Sequence, residues 1–178
     1  MLTIGILGLG EGRSTISAAL QSDRVQLRMI CDVDMEKCKH RAKEFQFDHY
    51  TTSYQEMLDD PLIDLIAIYT PDHLHATHVM MALQHGKHVL CTKPFIDDLS
   101  KANELLALTK AVGKKVFIGQ SSRFFEPMQR QRKDYEEGLI GELITIEAYY
   151  HADHRWFLEK PWSLQQSFKW LYGGLSHP

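Results

Sequence analysis

Cysteine is scarce in this sequence. Its three residues, Cys31, Cys38 and Cys91, are odd in number and widely spaced. They form neither a zinc pattern nor a disulfide framework, and they fit a reducing, cytoplasmic setting. Basic charge is not in excess: 20 Lys and Arg face 23 Asp and Glu, a formal net charge of −3. No overall positive field therefore draws the chain to nucleic acid or to a membrane surface. No uninterrupted apolar run approaches membrane-spanning length. The first ten residues are apolar but hold three glycines and no basic segment, so they read as a strand and not as a signal peptide. Internal repeats and low-complexity linkers are absent.

What is present is a globular composition, 44% hydrophobic and 24% charged, which permits a real core and argues against disorder. The 178 residues suffice for one ordinary domain and part of another. Apolar runs at 2–7, 25–31, 63–69, 87–91 and 115–119 read as strands. Amphipathic stretches at 13–21, 34–45, 53–59, 73–85 and 98–112 read as helices. Gly86 and Gly113 close the last two helices, and Asp97 and Ser100 are plausible caps at the start of the final one. Strands alternating with helices predict an α/β fold, a doubly wound parallel sheet over residues 1–120. Both faces of such a sheet are covered, which explains the near-continuous run LIDLIAIY. Near residue 120 the character changes. A helical stretch, FFEPMQRQRKDYEEG, leads through LIGE into the strand-like LITIEAYYH, where a second domain over 121–178 is expected to begin.

The segment LTIGILGLGEGRSTISAALQSDRVQLRMICD runs strand, glycine turn, helix, strand and acid. Gly8 and Gly10 let the chain turn sharply and bring amides close to a pyrophosphate. The helix then presents its N-terminus, which favours negative charge. Asp32 follows Gly10 by 22 residues, where a carboxylate can accept hydrogen bonds from ribose hydroxyls. Gly8, Leu9, Gly10, Gly12, Arg13 and Asp32 thus form a candidate dinucleotide site. The pattern places its third glycine at position 13, where this chain has Arg13; Gly12 stands one place earlier. Arg13 either disturbs close helix–strand packing or reaches a cofactor phosphate.

Other candidates lie where further strands end, the edge at which open α/β sheets bind ligands. Thr70 and Pro71 end one strand and are placed either to touch cofactor or to form a helix-entry turn. His73, His75 and His78 do not share one helix face, so a metal site is not expected. Lys93 lies beyond the fifth strand, as a solvated loop lysine or pointing into a cleft. Partial burial there would lower its pKa and suit it to proton transfer. Arg123 follows the 115–119 strand as a ligand contact or a surface arginine. His151, Asp153, His154, Arg155 and Trp156 mix polar groups with an aromatic, suiting either carbohydrate or a polar hairpin loop.

The block TPDHLHATHVMMALQHGKHVLCTKPF, with the glycine turn and with IGQSSRFFEP and GLIGE, resembles the Gfo/Idh/MocA oxidoreductases over essentially the whole chain. The resemblance implies a Rossmann domain followed by an α+β, mostly antiparallel half that carries substrate and oligomer contacts. It implies NAD as cofactor, NADP being possible, and hydride transfer to or from a secondary alcohol of a sugar, sugar derivative or cyclitol. It places Thr70, Pro71, Lys93 and Arg123 around the cofactor; His75 is a cofactor-binding candidate too, although in the family it marks the segment without being a ligand, which suits a surface or packing role. Lys93 and His177 become the candidate catalytic pair, Lys93 near nicotinamide and substrate and His177 taking the hydroxyl proton. Thr92 stands where the family has glutamate, and Gly173 where it often has aspartate. Family members are normally longer, so the chain is expected either to self-associate through the second-domain sheet or to be part of a longer one. Two alternatives remain: a relative that cleaves glycosides by transient oxidation, and a non-catalytic nucleotide-binding fragment or sensor. Asp32 and Asp34 would repel a 2′-phosphate, with Arg13 and Lys37 able to offset them. Replacing Asp32 with Ser is expected to weaken NAD binding and relax discrimination against NADP. Parallel titrations with both cofactors check this, and a parent protein that already prefers NADP would refute the role given to Asp32.

Overall fold

The computed structural model describes residues 1–96 and 98–149, with His151 and Asp153. The candidates Asp97, His154, Arg155, Trp156, Gly173 and His177 lie outside the described residues. Six strands form one wholly parallel sheet: β1 (Leu2–Leu7), β2 (Val25–Cys31), β3 (Tyr50–Thr51), β4 (Leu65–Ile68), β5 (His88–Thr92) and β6 (Val116–Gly119). Their order is β3-β2-β1-β4-β5-β6. This is the Rossmann arrangement, in which the chain runs outward from β1 in one direction and then from β4 in the other. Helices α1 (Arg13–Leu20), α2 (Met35–Phe45), α3 (Tyr54–Asp59), α4 (His75–Gln84) and α5 (Ala102–Val112) fill the connections, and α6 (Glu126–Glu136) follows β6.

Alternation along β1 and β4 divides the core into two layers. Ile4, Ile6 and Ala67 join Leu9, Ile16, Ala19, Leu27, Ile30 and Cys38 under α1 and α2. Leu7, Ile66 and Ile68 join Met57, Ala76, Val79, Leu83 and Leu105 beneath α3, α4 and α5. Successive residues of a strand point to opposite faces, so both layers draw on the same two central strands. All three cysteines are buried free thiols. Burial pushes Cys31 and Cys91 up to about 12, so both stay protonated at neutral pH.

The strands and helices expected over residues 1–120 are present, most with trimmed ends; β1 and β2 keep their expected bounds and β5 is shifted by one residue. One element was not anticipated: β3 is two residues long, too short for a periodic signal, and it pairs with β2 through Ile30 and Cys31. The last helix of the sheet is capped differently from expectation. α5 has no side-chain cap of its own; Asp98, not Ser100, caps the 3-10 turn that runs into it, its carboxylate accepting the Ser100 N–H. Beyond α6, the strand expected over LITIEAYYH is not formed among the described residues. A strand needs a backbone partner, and none of the described strands pairs with it. Its apolar side chains Leu143, Ile144, Ile146 and Tyr149 are exposed.

Ile66 lies fully buried on β4, which is paired on both sides, so nothing can relax into the space of a truncated side chain. Ile66→Ala should cost about 3 kcal/mol of unfolding free energy, measured by urea denaturation. A loss no larger than that of a surface substitution would show that the sheet centre packs otherwise.

Candidate functional site

The order of the strands puts a crevice between the carboxyl ends of β1 and β4, where the connections depart in opposite directions. The glycine turn closes one side of it. Gly8 has φ +89°, and a Cβ there would stand 2.5 Å from the Tyr69 carbonyl oxygen. At Gly12 a Cβ would meet the Gly8 carbonyl oxygen at 2.3 Å and Ile6 Cγ2 at 3.0 Å. Gly12 is therefore the residue that lets α1 start against β1. That resolves the displaced third glycine: the close approach falls at position 12, and Arg13 is turned outward. A Cβ at Gly10, by contrast, would meet nothing within 4 Å. Protein packing makes no demand for glycine there, which leaves a smooth open surface at the mouth of the turn. Across the crevice the Thr15 and Tyr69 hydroxyls share a 2.5 Å hydrogen bond that joins α1 to the end of β4.

Leu9 differs from expectation. Its side chain is fully buried, its N–H donates to Asp32 Oδ2 at 2.8 Å, and its carbonyl accepts from Arg41 Nε at 3.0 Å. Its amide therefore holds the acid in place and is not free for a phosphate. Asp32 is buried at the end of β2. Its Oδ1 accepts from the Asp34 N–H at 3.1 Å, and Lys37 Nζ lies 3.2 and 3.3 Å from its two oxygens. Lys37, one turn into α2, was foreseen only as an offset to negative charge; it is in fact the direct partner of Asp32. Asp34 itself caps α2, accepting the N–H groups of Glu36 and Lys37.

Arg13 does not intrude on the helix–strand contact. Its Nε donates to Glu44 Oε1 at 2.6 Å, and Arg41 Nη1 donates to Glu44 Oε2 at 2.6 Å. The Arg13 hydrogen bond, aided by Arg41, holds the Glu44 carboxyl down at about 2, well below the ordinary glutamate range. The two guanidiniums are thus committed to a carboxylate on α2.

On the β4 side, Thr70 and Pro71 lead through a 3-10 turn (Asp72–Leu74) into α4. His75 is fully buried, with both ring nitrogens within hydrogen-bond reach of main-chain carbonyl oxygens, those of Pro94 and Thr70. It stands behind the crevice wall and acts on the frame, not on a ligand surface. His78 Nδ1 lies 3.0 Å from Thr70 Oγ1, and burial first, then the neighbouring His75 and His73, pull His78 down to about 4, so it is neutral at pH 7. Lys93 follows β5 and is joined to Pro94 by a cis peptide bond. Of the two readings open for it, Lys93 takes the solvated one: its side chain is exposed. Arg123 lies on a 3-10 turn after β6 and lines a cavity of about 410 Å³ with Phe117, Ile118, Phe124 and Gln129. That cavity lies between β6 and α6, three strands from the glycine turn and next to the strand that leads to Lys93. The turn, Asp32, Thr70 and Pro71 therefore share one crevice; Lys93 stands at its far edge; Arg123 belongs to the cavity beyond.

A wholly parallel sheet of this strand order, with a glycine turn at its switch point and a buried acid after β2, is a dinucleotide-binding architecture. Comparison with known proteins bears this out. Residues 2–120 match the family model for the Gfo/Idh/MocA group, described as an oxidoreductase family with an NAD-binding Rossmann fold. The chain belongs to that family of NAD-binding oxidoreductases. It is 27% identical over 175 residues to 1-carboxy-3-chloro-3,4-dihydroxycyclohexa-1,5-diene dehydrogenase from Comamonas testosteroni, covering 98% of this chain and 43% of that one. It is 33% identical over 114 residues to the uncharacterized oxidoreductase YhhX from Escherichia coli, covering 64% of this chain and 33% of that protein. Among solved structures it resembles a probable dehydrogenase from Thermotoga maritima, with TM-score 0.75, 25% identity, and coverage of 79% of this chain and 42% of that one. The fold is also that of scyllo-inositol dehydrogenase from Lactobacillus casei, solved with NAD(H) and scyllo-inositol (TM-score 0.74, 23% identity, covering 80% of this chain and 43% of that one). The chain spans less than half the length of these relatives. No helix among the described residues is long and apolar enough to cross a membrane.

The Glu44 geometry carries a pH signature. A carboxyl held below its unfolded value stabilises the fold above the ordinary glutamate range, and that contribution fades as pH falls toward 2. Arg13→Met should move the Glu44 midpoint upward in a carboxyl NMR titration. An unchanged midpoint would mean that Arg13 is not the cause.

Proposed function

We propose that the crevice binds NAD with its pyrophosphate at the Gly8–Gly12 turn, and that the enzyme built on it moves hydride between the nicotinamide and a secondary alcohol or ketone of a sugar, sugar derivative or cyclitol. The observation that carries this reading is the turn itself. Gly8 and Gly12 are required by backbone approach, whereas Gly10 is glycine with open space before it. An exposed, unhindered glycine at the mouth of a helix N-terminus is what an approaching phosphate needs. Asp32, held by Leu9 and Asp34, faces the same crevice and accepts the adenosine ribose hydroxyls once Lys37 swings aside.

Bound nicotinamide supplies the hydride acceptor or donor. The chain's own residues handle the rest. Thr70 and Pro71 border the ring's side of the crevice, and Lys93 orients the substrate oxygen or relays its proton. His177 is the second candidate for that proton, and Arg123 a candidate contact to the ring or substrate from its neighbouring cavity. Lys93 requires a covering surface to act inside a cleft, and residues 121–178 are the part of the chain proposed to begin the substrate half. The exposed side chains of Leu143, Ile144 and Ile146 support an apolar interface there, completed by further chain or by a second copy.

Lys37 bears on cofactor choice. Paired with Asp32, it cancels part of the negative charge that excludes a 2′-phosphate. Lys37→Met should lower affinity for NADP several-fold more than for NAD. The central test is titration of the purified chain with NAD and NADH; a folded sample that binds neither ends the proposal. Incubation with polyols then separates the chemistries. Steady NADH formation supports the dehydrogenase, and cleavage of a glycoside without net NADH supports the transient-oxidation alternative.

A further inference from the structure

The imidazole of His75 is fully buried between the loops that leave β4 and β5. Its Nδ1 lies 2.6 Å from the Pro94 carbonyl oxygen, and its Nε2 lies 2.7 Å from the Thr70 carbonyl oxygen. Both contacts are short, so the ring spans the gap between the two carbonyls whichever nitrogen carries the hydrogen. The β4–β5 ladder ends with Ile68 opposite Cys91. Beyond that rung the ring acts as a further crosspiece, made of a side chain instead of backbone. It is rigid, and its two nitrogens point in divergent directions. No amide side chain reproduces this: Asn places a polar atom where Nδ1 stands and Gln where Nε2 stands, so neither reaches both carbonyls.

The neighbours make Thr70 well determined. Its carbonyl is held by His75 and its hydroxyl by His78. His78 is fixed in turn by Tyr54, whose hydroxyl donates to the His78 carbonyl at 2.9 Å and whose ring meets the imidazole edge-on at 5.0 Å. The Lys93–Pro94 loop has no comparable set of side-chain bonds among the described residues; its tie to the β4 side is the bond to His75.

We propose that His75 is the positioning residue of the site: by bridging both carbonyls it sets the spacing between Thr70 and the Lys93–Pro94 loop, and so the place where nicotinamide and Lys93 meet. This rests on the cofactor reading above. The adenosine end of the crevice, built from the glycine turn and Asp32, shares neither carbonyl. His75 therefore governs one half of the cofactor and not the other.

The test separates those halves. The full chain and its His75→Asn variant are titrated with NADH and with ADP-ribose, which lacks the nicotinamide. The expected result is a loss of about tenfold in NADH affinity, one hydrogen bond's worth, with ADP-ribose affinity held within about twofold. Equal losses on both ligands, or no loss on either, overturn the proposal. A parent chain that binds neither ligand refutes the cofactor reading instead. The crosspiece is then judged by NMR of the parent labelled with ¹⁵N-histidine, and the same spectrum decides if the variant fails to fold. A ring N–H signal from His75 that exchanges slowly with solvent is expected. A ring N–H that exchanges too fast to be seen overturns the proposal whatever the ligands do.

Discussion

The distance between the Gly12 backbone and the Gly8 carbonyl governs the candidate site. With no Cβ at position 12, α1 begins hard against the end of β1. That approach aims the start of the helix at the crevice and brings Thr15 within reach of Tyr69 on the neighbouring strand. It also turns Arg13 away from the sheet and toward Glu44. Leu9 is then buried beneath the bend, and its amide meets the Asp32 carboxylate. A single backbone contact thus sets the turn, the acid and the outward arginine together.

The polar groups around this turn neutralise one another in local sets. Asp32 is matched by Lys37, and Glu44 by Arg13 and Arg41. These pairs join α1, β2 and α2 around the crevice. The exposed ones contribute little to stability individually. Their larger effect is orientation, because each carboxylate is held in one place by several donors. A ligand entering here meets a frame whose charges are already arranged, at the cost of displacing Lys37 from Asp32.

Much of the fold was legible because the central strands are buried on both faces, so they are apolar runs separated by amphipathic helices. β1, β2, β4 and β5 carry that signal; β6 is an apolar run too, although Phe117 and Ile118 stand exposed at the sheet edge. β3 does not: two residues offer no period, and its existence follows from its pairing with β2. Glycine at 12 was visible, but which of three glycines bears the steric burden depends on where the Gly8 carbonyl points. The tie between Lys37 and Asp32 was half visible, as charge spacing without a direction. His75 was visible as part of a family-like block, yet its partners are main-chain carbonyls, one of them 19 residues away, and no residue letter announces a carbonyl. Lys93 could be read as sheltered or as solvated and is exposed, since burial of a loop side chain depends on what folds over it.

The pairing of Ile4 with Leu65 joins segments far apart in the sequence. While the polypeptide is being synthesised, β1 has β2 on one side and a bare edge on the other until β4 leaves the ribosome. The two inner layers stay open for that interval as well, because both take side chains from β4. Assembly of the domain is thus delayed by connectivity, and the nascent protein passes through a stage with an apolar, unpaired border. That is the kind of surface a chaperone holds.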